Sequence, residues 1–290
     1  MYNYTLVESD TAFREFLKGA KSSLALDFEG EFNLHIYGEH LCLIQIFDRT
    51  HYFLIDPFKV SAPLLKGFFS DKGIEKIMFD CSSDASLIRH QYGVQLEGVY
   101  DLRVGAQLLG YNGNLSGLIT KFLHKEPEGG KRSKQTSNWL RRPLKRQLIE
   151  YALSDVEHLF DLKEALEKEL ERVGLGEKNR QGQVGVALPK GAKREGWEKI
   201  NGYRYLSNKE KVFLKHFFLA RDTLAQELNL PPFKVLDKQR LLGLAKRTPT
   251  SQGEFRNRIQ QRNKGIEESL ATLLFNNYNQ ALKEIEEGKF

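Results

Sequence analysis

Asp27 and Glu29 lie two apart in Leu24-Ala25-Leu26-Asp27-Phe28-Glu29, a stretch with the composition of a buried strand. Residues two apart on a strand point to the same side, so both carboxylates emerge together. Tyr151 and Asp155 lie four apart in Tyr151-Ala152-Leu153-Ser154-Asp155, a helical stretch, and that spacing also puts them on one face. Asp84 opens another helix just after the strand Ile77-Met78-Phe79. Carboxylates that converge repel one another unless a cation sits among them. The pattern is that of a divalent-metal site with a tyrosine beside it. Each piece has an ordinary explanation when taken alone. An acid in the first turn of a helix is favoured by the macrodipole, and Asp80 and Asp101 read as plain strand-end acids. An unpaired acid in a buried strand is costly, however. The order of the pieces is also distinctive: a strand D-x-E, a strand-to-helix Asp, then a helical Y-x-x-x-D.

The elements that must carry these residues alternate. After 24–29 come strands at 40–47 and 52–57, joined by a hairpin connection at 48–51, and further strands at 76–79 and 99–102. Helices are expected at 63–69, at 83–92 and around 106–109. An opening hairpin followed by alternating strands and helices indicates an α/β domain with a mixed sheet. From Leu115 the pattern turns helical, with one long helix over 144–173. The stretch 174–196 is rich in Gly, Lys and Gln without periodicity and reads as a linker. Beyond it Ser207 and Glu210 have capping-box spacing, and helices are expected at 207–228, 237–246, 255–262 and 266–286. Pro231-Pro232 ends the first of them. The expected organisation is thus an α/β domain over 1–173, a linker over 174–196 and a small all-α domain over 197–290.

Of the 290 residues 40% are hydrophobic and 28% charged, the balance of a globular chain. No run approaches the roughly 18 apolar residues of a membrane span, and the first residues lack the features of a secretory leader. Cys42 and Cys81 form no C-x-x-C pair, which fits a reduced cytoplasmic setting and excludes a disulfide framework or zinc ribbon. Residues 1–170 carry 21 Lys and Arg against 24 Asp and Glu, a net −3; residues 171–290 carry 23 against 14, a net +9. That asymmetry suggests an anionic polymer as partner, the alternative being lysines that merely keep a helical surface soluble. Seven basic residues without an acid lie between Lys131 and Arg146 (Lys131, Arg132, Lys134, Arg141, Arg142, Lys145, Arg146). Such a run is ordinarily a solvated face, and with an anionic polymer as partner it is a candidate contact to that polymer's backbone. The loop 128–134 is expected to order on substrate. In the helical part Lys246, Arg247, Arg256, Arg258 and Arg262 are candidate phosphate contacts, whereas Phe213, Phe217 and Phe218 read as core.

The order of acids, with the segments around it, resembles the 3′–5′ exonucleases of the DEDD superfamily, and within it the ribonuclease D family. His40-Leu41-Cys42-Leu43-Ile44-Gln45-Ile46 is similar to that family's second-strand segment. Ser137-Asn138-Trp139-Leu140-Arg141-Arg142-Pro143-Leu144 resembles its S-D-W-x-x-R-P-L segment, and Tyr151 to Val156 resembles its Y-A-x-x-D-V. The tyrosine four residues before the last Asp implies the tyrosine subclass. Trp197, Gly202, Leu206-Ser207 and Pro231 to Leu236 resemble a helicase-and-RNase-D C-terminal (HRDC) domain. Phe28 stands where the family often has Thr, Asn138 replaces an Asp, and there is room for one HRDC module where bacterial members often have two.

The resemblance implies a ribonuclease H-like mixed sheet with flanking helices. It implies Asp27, Glu29, Asp84 and Asp155 as direct or water-mediated ligands of two divalent ions, Mg²⁺ or Mn²⁺. Tyr151 would orient the attacking water, since a phenol of ordinary pKa about 10 is a poor base at neutral pH. The implied activity is 3′–5′ hydrolysis of RNA to nucleoside 5′-monophosphates, in tRNA or stable-RNA maturation, with RNA or single-stranded DNA as partner and no obligate protein partner. A 3′–5′ DNA exonuclease and a silent RNA-binding protein on the same fold are the alternatives. The presence of all four acids and the tyrosine argues against the second.

Overall fold

The computed structural model describes residues 2–126, 134–189, 191 and 194–288. Most of the expected 128–134 loop, with Lys131 and Arg132, lies outside them. Chain contacts divide the protein into two units, residues 1–31 with 39–190, and residues 32–38 with 191–290.

In the first unit six strands form one sheet: β1 (Tyr4–Val7), β2 (Ser23–Phe32), β3 (Glu39–Phe47), β4 (Tyr52–Ile55), β5 (Glu75–Met78) and β6 (Val99–Asp101), in the order β1-β4-β3-β2-β5-β6. β1 is parallel to β4, and β5 is parallel to both β2 and β6, while β3 is antiparallel to β4. The sheet is therefore mixed, as expected. The 48–51 connection is a hairpin in which the Asp48 N–H donates to the His51 carbonyl at 3.1 Å. The helices are α1 (Asp10–Gly19), α2 (Ala62–Ser70), α3 (Ser82–Tyr92), α4 (Leu102–Leu108), α5 (Leu115–Leu123), α6 (Arg146–Val156), α7 (Leu159–Arg172) and α8 (Gly176–Gln183).

Strand alternation sorts β2 between two apolar layers. Leu24, Leu26 and Phe28 pack into the layer of Phe13, Phe68, Phe69 and Ile88. Ala25 packs into the layer of Leu102, Ile119, Leu159 and Phe160. Asp27 and Glu29 continue the Ala25 side.

Three features differ from the sequence reading. β1 and α1 have no counterpart in it. The expected 144–173 helix is two helices, because the backbone leaves the helical region at His158 (φ −106°, ψ 3°). That break lets α6 pack on β3 while α7 packs on α4 and α5. No Gly or Pro marks the spot, so periodicity runs through it. Finally, the expected linker contains α8. Its anchors are amides and not an apolar stripe: Asn179 Nδ2 donates to Tyr100 Oη at 2.9 Å, and Gln183 Oε1 accepts from the Asp101 N–H at 2.8 Å.

The second unit is helical: α9 (Asn208–Glu227), α10 (Pro232–Val235), α11 (Lys238–Lys246), α12 (Gln252–Ile259) and α13 (Lys264–Glu286). α9 opens on the expected capping box, with the Ser207 N–H donating to Glu210 Oε2 at 2.7 Å. Its core joins Leu214, Phe217, Leu241, Phe255, Leu270 and Leu274. Phe213 stacks on Tyr278 at 5.6 Å, so the phenylalanines of α9 serve packing as expected. Gly202 sits at φ 101°, and a Cβ there would meet Leu242 at 2.8 Å. The excursion 32–38 belongs to this unit: Tyr37 packs against its core and its hydroxyl donates to Asp222 Oδ2 at 2.7 Å.

Candidate active site

Asp27, Glu29 and Asp155 each offer a carboxylate oxygen, and the three atoms lie within 4.8 Å of one another. The first two come from β2 and the third from α6, two elements separated by more than a hundred residues. Glu29 and Asp155 are buried and Asp27 is half-buried. Tyr151, one turn before Asp155 on α6, is buried with its ring 6.1 Å from that of the fully buried Trp139. The Lys134 ammonium lies 5.7 Å from the Tyr151 ring centroid. Asp84 sits in the first turn of α3 and stands outside the 4.8 Å group. It acts on that group through its charge.

Burial pushes the Glu29 carboxyl well above its usual range, and the charges of Asp27, Asp155 and Asp84 push it further. Burial also raises the Tyr151 phenol, reinforced by Asp155, Glu29 and Asp27 and by a hydrogen bond to Asp155. Asp84 is pushed up to about 7 by burial, then by Asp80 and Asp101. Such a set is unstable as isolated anions. Its donors are all carboxylate oxygens, which suit a hard divalent cation, and the group fits one.

Two residues with a structural hold on the site were passed over in the sequence. Arg142, read in the sequence as part of a basic run and of the R-P-L segment but given no partner, uses its whole guanidinium fork. Nε and Nη2 donate to the two oxygens of buried Asp56 at 2.6 and 3.1 Å. Nη2 also reaches the Cys42 carbonyl at 2.6 Å, and Nη1 reaches those of Trp139 and Arg141 at 2.7 and 3.0 Å. Arg142 thereby ties the Trp139 segment to β3 and the end of β4. The other is Asp101, whose carboxylate accepts backbone N–H groups from the turn that leads to Asp84. Among the candidate phosphate contacts of the helical unit, Arg256 is paired with Glu268 at 3.0 Å.

A mixed sheet that gathers carboxylates from a strand and a helix beside a buried tyrosine defines a nuclease-type domain. The chain belongs to the 3′–5′ exonuclease family, which residues 4–171 match; residues 210–274 match the HRDC domain. It is 26% identical over 229 residues to ribonuclease D of Sphingobium indicum, covering 76% of this chain and 58% of that protein. With ribonuclease D of Escherichia coli it is 25% identical over 268 residues, covering 87% and 68%. The crystal structure of Escherichia coli RNase D, an exoribonuclease involved in structured RNA processing, matches with a TM-score of 0.73 at 24% identity, over 95% of this chain and 75% of that one. The catalytic core of RRP6 from Trypanosoma brucei matches with a TM-score of 0.77 at 20% identity, over 98% and 81%. At these identities the two structures share the fold with this chain. The chain spans 58% and 56% of the length of the Sphingobium and Nitrobacter relatives. Among the described residues no helix is long and apolar enough to cross a membrane.

Proposed function

We propose that the chain is a divalent-metal-dependent 3′–5′ exoribonuclease that releases nucleoside 5′-monophosphates from RNA 3′ ends, acting in the cytoplasm on stable RNA such as tRNA precursors. The observation that carries this reading is the convergence of Asp27, Glu29 and Asp155 within 4.8 Å beside the buried Tyr151. Asp27, Glu29, Asp84 and Asp155 would hold two ions, Mg²⁺ or Mn²⁺. When bound, the ions supply charge stabilisation for the phosphoryl group and lower the pKa of a coordinated water. Asp84, outside the tight group, serves at its margin. Tyr151 stays protonated at neutral pH because burial and its anionic neighbours raise it. It therefore orients the attacking water by hydrogen bonding and leaves proton removal to other groups.

The ribonuclease D relatives support RNA over DNA as substrate. The HRDC match supports a second contact to the strand, and residues 191–290, with 19 Lys and Arg against 12 Asp and Glu, have the charge for it. Within the two units, hydrolysis is assigned to residues 1–173 apart from the 32–38 excursion, and strand binding to residues 197–290. Matched 5′-labelled RNA and DNA oligonucleotides, each incubated with Mg²⁺, Mn²⁺ or EDTA, test the reading. The expected result is a metal-dependent ladder shortening from the RNA 3′ end. Shortening of DNA alone would assign the chain to DNA, and no shortening of either would overturn the enzymatic reading.

A further inference from the structure

We infer that Asp101 is a positioning residue for the nuclease site: it holds the β5–α3 turn that sets where Asp84 stands. This inference rests on the proposed metal-dependent reaction. β5 ends at Met78 and α3 begins at Ser82, so Phe79, Asp80 and Cys81 must turn a strand into a helix. Asp80 does so at φ 61°, in the left-handed region. That conformation costs an L-residue about 1 kcal/mol and persists only where the surroundings hold it. Among the described residues the hold comes from the neighbouring strand. Asp101, in β6, lies opposite Met78 in the parallel register. One of its carboxylate oxygens accepts the Asp80 N–H at 2.7 Å and the other accepts the Cys81 N–H at 3.1 Å.

Three further observations make the arrangement rigid. The same carboxylate caps α4 by accepting the Arg103 N–H at 2.9 Å. Arg103 reaches back to Asp80 Oδ2 at 2.9 Å, with its guanidinium 4.5 Å from the Phe79 ring centroid. The backbone of Asp101 is itself clamped by the Gln183 amide, which accepts from its N–H at 2.8 Å and donates to its carbonyl at 3.2 Å. The side chain is buried, and its carboxylate accepts the backbone N–H groups of Asp80, Cys81 and Arg103. Cys81 is the residue before the first turn of α3, and Asp84 is the third residue of that helix. Releasing the turn lets Asp80 return to an ordinary φ and carries Asp84 with it. Displacements of about 1 Å at a reacting centre cost roughly 100-fold in rate.

Asp101→Asn is isosteric, but its amide presents a donor to one of these N–H groups. The test combines kcat and KM on an RNA oligonucleotide with Mn²⁺ affinity from the free-ion EPR signal. The four proteins are wild type, Asp101→Asn, Asp84→Asn and the double variant, each checked by circular dichroism. Loss of an outer-shell partner typically costs 10–100-fold in metal affinity or rate. Asp101→Asn is expected to lower kcat about 10-fold or more with KM within about 2-fold, and to weaken Mn²⁺ binding by a similar factor. The Asp84→Asn background should remove its effect on Mn²⁺ binding. An Asp101→Asn protein with wild-type kcat and Mn²⁺ affinity overturns the inference. So does an equal Mn²⁺ effect in the Asp84→Asn background, or an Asp101→Asn chain that does not fold. A wild type without metal-dependent hydrolysis would instead remove the reading on which the inference rests.

Discussion

Arg142→Met should unfold the nuclease unit at markedly lower denaturant and slow the reaction. The Asp56 side chain is 3% exposed and that of Arg142 25%, so the pair is largely withdrawn from water. Removing the guanidinium strands a buried carboxylate, a change worth about 3–5 kcal/mol. The carbonyls of Cys42, Trp139 and Arg141 lose their donors at the same time. For a urea dependence of about 2 kcal/mol per molar, the midpoint falls by roughly 1.5–2.5 M. The protein has two tryptophans, Trp139 and Trp197. In a Trp197→Phe background, fluorescence therefore follows Trp139 and the first unit alone. Arg142→Lys retains the charge but offers three donors where five bonds are made, and should fall in between. Combining Arg142→Met with Asp56→Asn should recover 1 kcal/mol or more, because no buried charge is then left unpaired. Since Trp139 backs Tyr151, kcat should fall along with stability. A midpoint shift below about 0.3 M for Arg142→Met, or strict additivity with Asp56→Asn, would refute this account of the fork.

Tyr151→Phe should lower kcat about 10–100-fold, the worth of one orienting hydrogen bond. The pH–rate profiles of wild type and Tyr151→Phe should share their shape up to about pH 9, where even an ordinary phenol of pKa about 10 is protonated. Asp48 accepts from the Thr50 N–H and hydroxyl and the His51 N–H at 2.7–2.8 Å. Burial raises its carboxyl, but these bonds and Lys21 outweigh it, so the net shift is downward. A depressed folded-state carboxyl stabilises above the unfolded value and loses that stabilisation as pH falls through the folded one. Asp48→Asn should therefore cost about 1–2 kcal/mol at pH 7 and progressively less as the pH falls through the folded-state value, as measured by urea melts across the acid range. Lys76 is fully buried, and its ammonium donates to the carbonyls of Asp71, Ile74 and Glu97 at 2.6–3.1 Å. Lys76→Met removes the donor shared by three carbonyls and should cost about 2–4 kcal/mol in the same assay.

Much of this architecture can be read from the chain, for identifiable reasons. Asp27 and Glu29 stand out because strand alternation forces them to one side of an apolar segment, and Tyr151 and Asp155 because helical spacing does the same. What the sequence does not carry is interaction across elements. Asp101 looks like any strand-end acid until β6 is laid beside β5. Arg142 lies in a basic run and in the R-P-L segment, but neither shows its role until Asp56 appears under it. The helix break at His158 has no Gly or Pro to announce it. α8 is hidden because its anchors are Asn179 and Gln183 side chains. The Tyr37 excursion lies nearly two hundred residues from its partner Asp222, beyond any local pattern.

The central claim is that the carboxylates gathered around Glu29 perform metal-dependent hydrolysis from RNA 3′ ends. The most direct test compares wild type with Asp27→Ala on a 5′-labelled RNA oligonucleotide in Mn²⁺, with RNA binding measured in parallel. The account predicts a ladder shortening from the 3′ end for wild type, and its loss in Asp27→Ala with binding retained. A ladder of undiminished rate from Asp27→Ala would contradict it.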